Sequence, residues 1–373
     1  MRAVAAAAAL TLLPPDACRL PNRSPRGDVA LGFPRIANRM NSTGARRLST
    51  LFLDFSDVPA GAAAATAFFA ELSSVPAFFA ETSYGALNAT LAPLLPATLR
   101  MPAPSTAYSF RDFVSQRAYL AEAGALAAAA GWNFSGSDAV VVMAPPAARA
   151  LPFGPAFCAA PGAGYEAGGV AFENSATSGA DFAAWRPLGR WANHELAHTL
   201  GLVDLYDFAP PAGASAFRFT GEWSIMGDIN GAGNGYFGWE RWLLAWLPDA
   251  AVACAGAGGD VALAPLGAPS GTRLVVVPTG ATTAVCVEYR VAAGVDARIP
   301  KPGLLVYAID TALATGAGPL RVLPVDDADA TKLRATLAPG EAVSFGGVTV
   351  TCVASDAAGA VARVAMAGGA GGG

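Results

Sequence analysis

Both histidines of this 373-residue chain fall in one segment, His194–Asp207, which reads HELAHTLGLVDLYD. Spaced four apart, they project from the same face of a helix, so both imidazoles reach one cation. Positions 194–198 must therefore be helical, and the chain must then turn. Gly201 supplies the turn because it adopts a left-handed backbone without penalty. The reversal brings Asp204 toward the imidazoles, with Asp207 as the alternative. With no third histidine in the chain, a further protein ligand has to be a carboxylate, a cysteine or another group. Zn2+ suits this set: it takes neutral imidazole nitrogen at about 2.0–2.1 Å, accepts carboxylate oxygen and prefers a tetrahedral shell. Glu195 is turned about 100° around the helix from His194. That sets it beside such an ion, where a general base takes a proton from water. An accidental HExxH on a surface helix is the competing reading; the offsets of Gly201 and Asp204 count against it.

The rest of the composition narrows the setting. Hydrophobic residues reach 53% and charged residues only 14%, but much of the excess is alanine. No stretch of about 20 strongly apolar residues reads as a span, so stable membrane insertion is not expected. The formal charge is −4 and no Lys/Arg stripe appears, which argues against nucleic acid as a partner. Arg2 followed by the apolar run Ala3–Leu13 reads as an export signal over residues 1–17, cut near Ala17, so a secreted protein is expected. Sequons at Asn22, Asn41, Asn88 and Asn133 agree with a glycoprotein. The five cysteines form no CxxC pair, which argues against a cysteine-based zinc site. Cys254, Cys286 and Cys352 cluster in the last third, where at least one disulfide is expected.

Residues 18–47, rich in Pro, Arg and Asn, read as a linker or short pro-segment. An α+β catalytic domain is expected over 48–248. Its elements are a strand at Leu48–Phe55, helices over 61–81 and 110–130, strands at Ala139–Ala144 and Gly168–Phe172, and a helix from Pro187 to about Gly201. From 249 to 366 short β-rich runs separated by turn formers predict an all-β domain, a sandwich, with strands at Val261–Leu263, Arg273–Val277, Ala284–Val291, Leu304–Ile309, Ala342–Val350 and Val361–Ala365. Residues 367–373 form a glycine tail.

HELAHTLGLVDLYD followed by GEWSIMGD (Gly221–Asp228) resembles the immune-inhibitor-A type of secreted metallopeptidase, within the metzincin group. LFLDFSDVPA (Leu51–Ala60), FGWERWLLAWL (Phe237–Leu247) and Val287–Asp310 are similar to further stretches of that family, so the likeness covers about Leu48 to Val325. The resemblance implies an extracellular zinc endopeptidase with a twisted mixed sheet, an active-site helix and a β-sandwich behind it. It implies a polypeptide substrate and Zn2+ on His194, His198 and Asp204, with structural Ca2+ in some members. Glu195 is then the general base, Met226 the methionine of the turn beneath the metal, and Tyr236 a candidate for oxyanion support. Val203 and Leu205 depart from the Pro and Glu expected beside Asp204. A secreted zinc-binding or matrix protein without turnover is the alternative, although binding zinc does not require Glu195.

Overall fold

The computed structural model is described over residues 9–25, 30–93, 98–184, 188–324 and 329–367. It divides into two compact units: Ile36–Leu202, and Met1–Arg35 together with Val203–Gly373.

The first unit is built on a six-stranded sheet. Its order is Leu87–Pro93, Gly44–Asp54, Ala139–Met143, Asn174–Thr177, Ala156–Cys158, with Leu99–Arg100 pairing the end of Gly44–Asp54. All pairs are parallel except the last, where Ala156–Cys158 runs antiparallel to Asn174–Thr177. From Leu48 onward Gly44–Asp54 is buried without interruption, as is all of Ala139–Met143. Continuous burial is the mark of a parallel sheet covered on both faces. Because side chains alternate along a strand, Leu51 and Leu53 join Val140 and Val142 on one face, under Tyr119, Leu120, Ala123 and Ala127 of the helix Phe113–Ala129. Phe52 points the other way. A run of rings, Phe52–Phe68–Phe182–Trp191, leads from that face to the helix Leu188–Leu200.

Several expectations shift. The single helix over 61–81 is two, Ala62–Leu72 and Val75–Thr82. Ser73 and Ser74 interrupt it, and Pro76, which cannot donate within a helix, sits in the first turn of the second piece. Together Ala63–Thr82 match a membrane span in length and apolar character, and Val75, Phe78 and Phe79 are buried in the unit. Val170–Phe172 does not join the main sheet; it forms a separate two-stranded ribbon with Tyr165–Ala167. Pro187 lies outside the described residues.

The second unit is a β-sandwich. One sheet runs Thr11–Leu13, Val252–Ala257, Leu274–Pro278, Thr283–Arg290, Gly303–Asp310, Leu320–Val322; the other runs Gly259–Leu263, Gly359–Met366, Val348–Asp356, Ala342–Phe345. Val275, Val277, Val285, Val287 and Val306 from the first sheet share a core with Leu263, Val350, Cys352 and Val364 from the second. The expected strand Ala342–Val350 is a hairpin whose turn uses Gly346 (φ 55°) and Gly347 (φ 78°), a conformation other residues rarely adopt. The disulfide joins Cys18 to Cys254, whereas Cys286 and Cys352 are buried thiols, so the bond does not lie within the last third. Of the apolar stretch read as an export signal, Thr11–Leu13 pairs with Val252–Ala257 and its side chains are exposed. Residues 1–8 and the glycines from 368 onward lie outside the described residues.

Candidate metal centre

The helix Leu188–Leu200 is tied to its surroundings near both ends. Trp191 is buried, and its ring Nε1–H donates to Gly154 O. Near the far end, Met40 N donates to Thr199 O at 2.8 Å. The helix stops where the glycine is: Gly201 has φ 108°, Gly201 N donates to His198 O (2.9 Å) and Leu202 N donates to Ala197 O (3.0 Å). That is the paired arrangement of a Schellman end, which satisfies carbonyls left over at a helix terminus. It also swings Leu202 O back to within 3.0 Å of His198 Nδ1. A carbonyl only accepts, so Nδ1 holds the ring proton and Nε2 keeps its lone pair for a cation.

His194 Nε2 and His198 Nε2 are 3.2 Å apart. In a tetrahedral shell with bonds of about 2.0–2.1 Å, neighbouring donors lie about 3.3 Å apart. The two imidazoles therefore already stand at the separation one zinc ion requires. Within the continuous segment His194–Asp204, ligand atoms of His194, His198 and Asp204 all lie within 4.8 Å of one another. His194 is buried, and His198 and Asp204 are half-buried. Neutral imidazole plus carboxylate is a donor set zinc accepts, so the residues fit that ion. Among the described residues this is the one such group, which leaves the structural calcium implied by the resemblance without an assigned site.

Glu195, 8% exposed, does not belong to the cluster. Its Oε2 accepts a 2.7 Å hydrogen bond from Ala156 N, in the strand that ends the main sheet. That strand faces its neighbour through the residues on either side: Thr177 N donates to Pro155 O, and Ala159 N to Glu173 O. Ala156 N is turned to the opposite side, as alternation along an antiparallel strand demands.

Asp204 and Asp207 separate cleanly. The backbone of Asp204 is clipped by a neighbouring turn: its N–H donates to Thr315 Oγ1 (3.1 Å), and its carbonyl accepts from Gly316 N (3.4 Å). Asp207 instead binds Arg218 Nε at 2.6 Å and the amide of Ala209 at 2.9 Å. Burial alone would raise its pKa, but the Arg218 hydrogen bond, the Ala209 amide and the charges of Arg218 and Arg321 hold it below the ordinary carboxylate range. Its carboxylate is thus committed to an ion pair.

Met226 is fully buried. Its carbonyl accepts from Leu205 N (2.9 Å) and its amide donates to Ser224 Oγ (3.1 Å). Tyr236, the candidate for oxyanion support, is also fully buried, with its ring on Trp246. Burial pushes its phenol pKa far up, and a ring with no exposed surface belongs to the packing. Sequence reasoning missed Ala156, Ser224 and Glu240. The first contacts Glu195 through its backbone, which leaves no residue-type signal, and the other two meet through side chains sixteen positions apart, a spacing no motif marks.

No protein-family model matches the chain, and no curated protein does. Among solved structures, catalytically inactive OgpA from Akkermansia muciniphila in complex with an O-glycopeptide (glycodrosocin) substrate is similar at a TM-score of 0.28 and 11% sequence identity, over 77% of this chain and 93% of that one.

Proposed function

We propose that this chain is a secreted zinc-dependent endopeptidase of the immune-inhibitor-A type, acting on polypeptides. One observation carries the reading: two imidazole nitrogens at 3.2 Å and the Asp204 carboxylate converge, and the residue that follows the first histidine on the helix is a glutamate outside that set. Bound zinc supplies a Lewis acid and an acidified water, with a pKa of about 7. His194, His198 and Asp204 would hold it. His198 is kept in the metal-binding tautomer by Leu202 O. Glu195 takes a proton from the attacking water at its carboxylate and returns it to the leaving amine. The Ala156 amide fixes that carboxylate in place, so its orientation is set before substrate arrives. An extended substrate lying along Ala156–Cys158, the last strand of its sheet, would bring its backbone next to Glu195. The Cys18–Cys254 bond supports the exported setting, because disulfides persist in oxidising compartments.

The test is casein hydrolysis by the purified protein with and without a chelator, beside Glu195→Gln. The wild type should lose activity to the chelator and regain it with zinc. Glu195→Gln should hold zinc yet cleave about 10²–10⁴-fold more slowly, the usual worth of a general base. Equal cleavage by the two proteins overturns the mechanism. Zinc binding by both without cleavage by either replaces it with the binding-protein alternative.

A further inference from the structure

The hydrogen bonds around Met226 form a chain that ends beside the proposed third ligand. Glu240 is fully buried in the short helix Gly238–Leu243. Its Oε2 accepts from Phe237 N at 2.7 Å and from Ser224 Oγ at 3.1 Å. A hydroxyl has one proton. By giving it to Glu240, Ser224 turns an oxygen lone pair toward Met226 N, 3.1 Å away. The other side of the same peptide, Met226 O, receives Leu205 N at 2.9 Å, and Leu205 follows Asp204 directly.

The helix that carries Glu240 is held at its first residue. Gly238 N donates to Glu288 Oε2 at 2.6 Å, and the Tyr307 hydroxyl donates to the same oxygen at 2.9 Å. Glu288 Oε1 is paired with Arg290 at 2.8 Å, and both side chains are fully buried. Burial raises the Glu240 pKa to about 8 against the lowering effect of its bonds to Phe237 N and Ser224.

We propose that Ser224, oriented by Glu240, is a positioning residue for the metal site: it holds the Met226 peptide, and the Met226 carbonyl in turn fixes the chain at Leu205 so that Asp204 meets the metal. This rests on the zinc reading given above. The backbone of Asp204 is already clipped on one flank by Thr315 and Gly316. The Leu205–Met226 bond is the clip on the other flank, and Ser224 is the side chain that sustains it.

The experiment measures zinc affinity by chelator competition, and the visible spectrum after Co2+ substitution, on the full chain. Ser224→Ala should weaken zinc binding about 10–100-fold, the usual cost of losing a partner one step removed from the metal, and should alter the Co2+ bands. Ser224→Thr, which keeps the hydroxyl, should restore both. In an Asp204→Ala background, Ser224→Ala should have no further effect, because its action runs through Asp204. Should Ser224→Ala fail to fold, Ser224→Cys gives the same comparison with a weaker hydrogen-bonding atom. Wild-type affinity and spectrum in a folded Ser224→Ala or Ser224→Cys protein overturn the proposal while leaving the zinc reading intact. So does a loss that persists undiminished in the Asp204→Ala background. A wild type that takes up no zinc overturns both.

Discussion

Asp204 and Asp207 are three positions apart, yet one carboxylate converges with two imidazoles and the other is bound to a guanidinium. The difference decides what each contributes. Asp204→Ala should lower zinc affinity more than about 100-fold, beyond the cost of an indirect change; Asp207→Asn should leave it near the wild-type value, both by chelator competition. Asp207→Asn should instead act on stability. A carboxylate with a folded pKa below its unfolded value of 3.8 stabilises the fold above that value and ceases to do so as pH falls through the folded one. The urea midpoints of wild type and Asp207→Asn should therefore differ at pH 6 and converge on acidification. Spacing alone favoured Asp204 without excluding Asp207. What separates them is Arg218, and nothing in the local sequence says that Arg218 returns to residue 207.

Elements were legible where one local signal dominated. The helix Leu188–Leu200 and its end at Gly201 followed from histidine spacing and a glycine stop. The buried strand Ala139–Met143 followed from an apolar run closed by Pro145 and Pro146. Asn174–Thr177 (NSAT) is fully buried, but its side chains are small or polar and give no apolar signal. Its place comes from pairing with Val140–Val142 and with Ala156–Cys158. The helix end carries its own test. A side chain at Gly201, with φ 108°, is strained, so Gly201→Ala should cost about 1–2 kcal/mol in thermal unfolding. It should weaken zinc binding as well, since the turn that presents Leu202 O to His198 is disturbed. A variant with unchanged zinc affinity would show that His198 needs no such support.

At the scale of the molecule, the sandwich was legible in the rhythm of short strands after residue 249, but the return of the N-terminal segment to it was not. That return is sealed by the bond from Cys18 to Cys254, across a separation of 236 residues. Closing so long a loop should stabilise the chain by about 2–5 kcal/mol. Cys18→Ala should melt earlier than wild type under oxidising conditions, and reductant should lower the wild-type midpoint while leaving the variant's unmoved. The same bond bears on biogenesis. Along the chain, residues 36–202 form a unit that falls between the two separated pieces of the other unit. The ribosome therefore delivers one edge strand of the sandwich, Thr11–Leu13, then an entire compact body, and only afterwards the other strands. Domains generally fold as units during synthesis, so the inner body can be finished while Cys18 still waits for a partner that has not been translated.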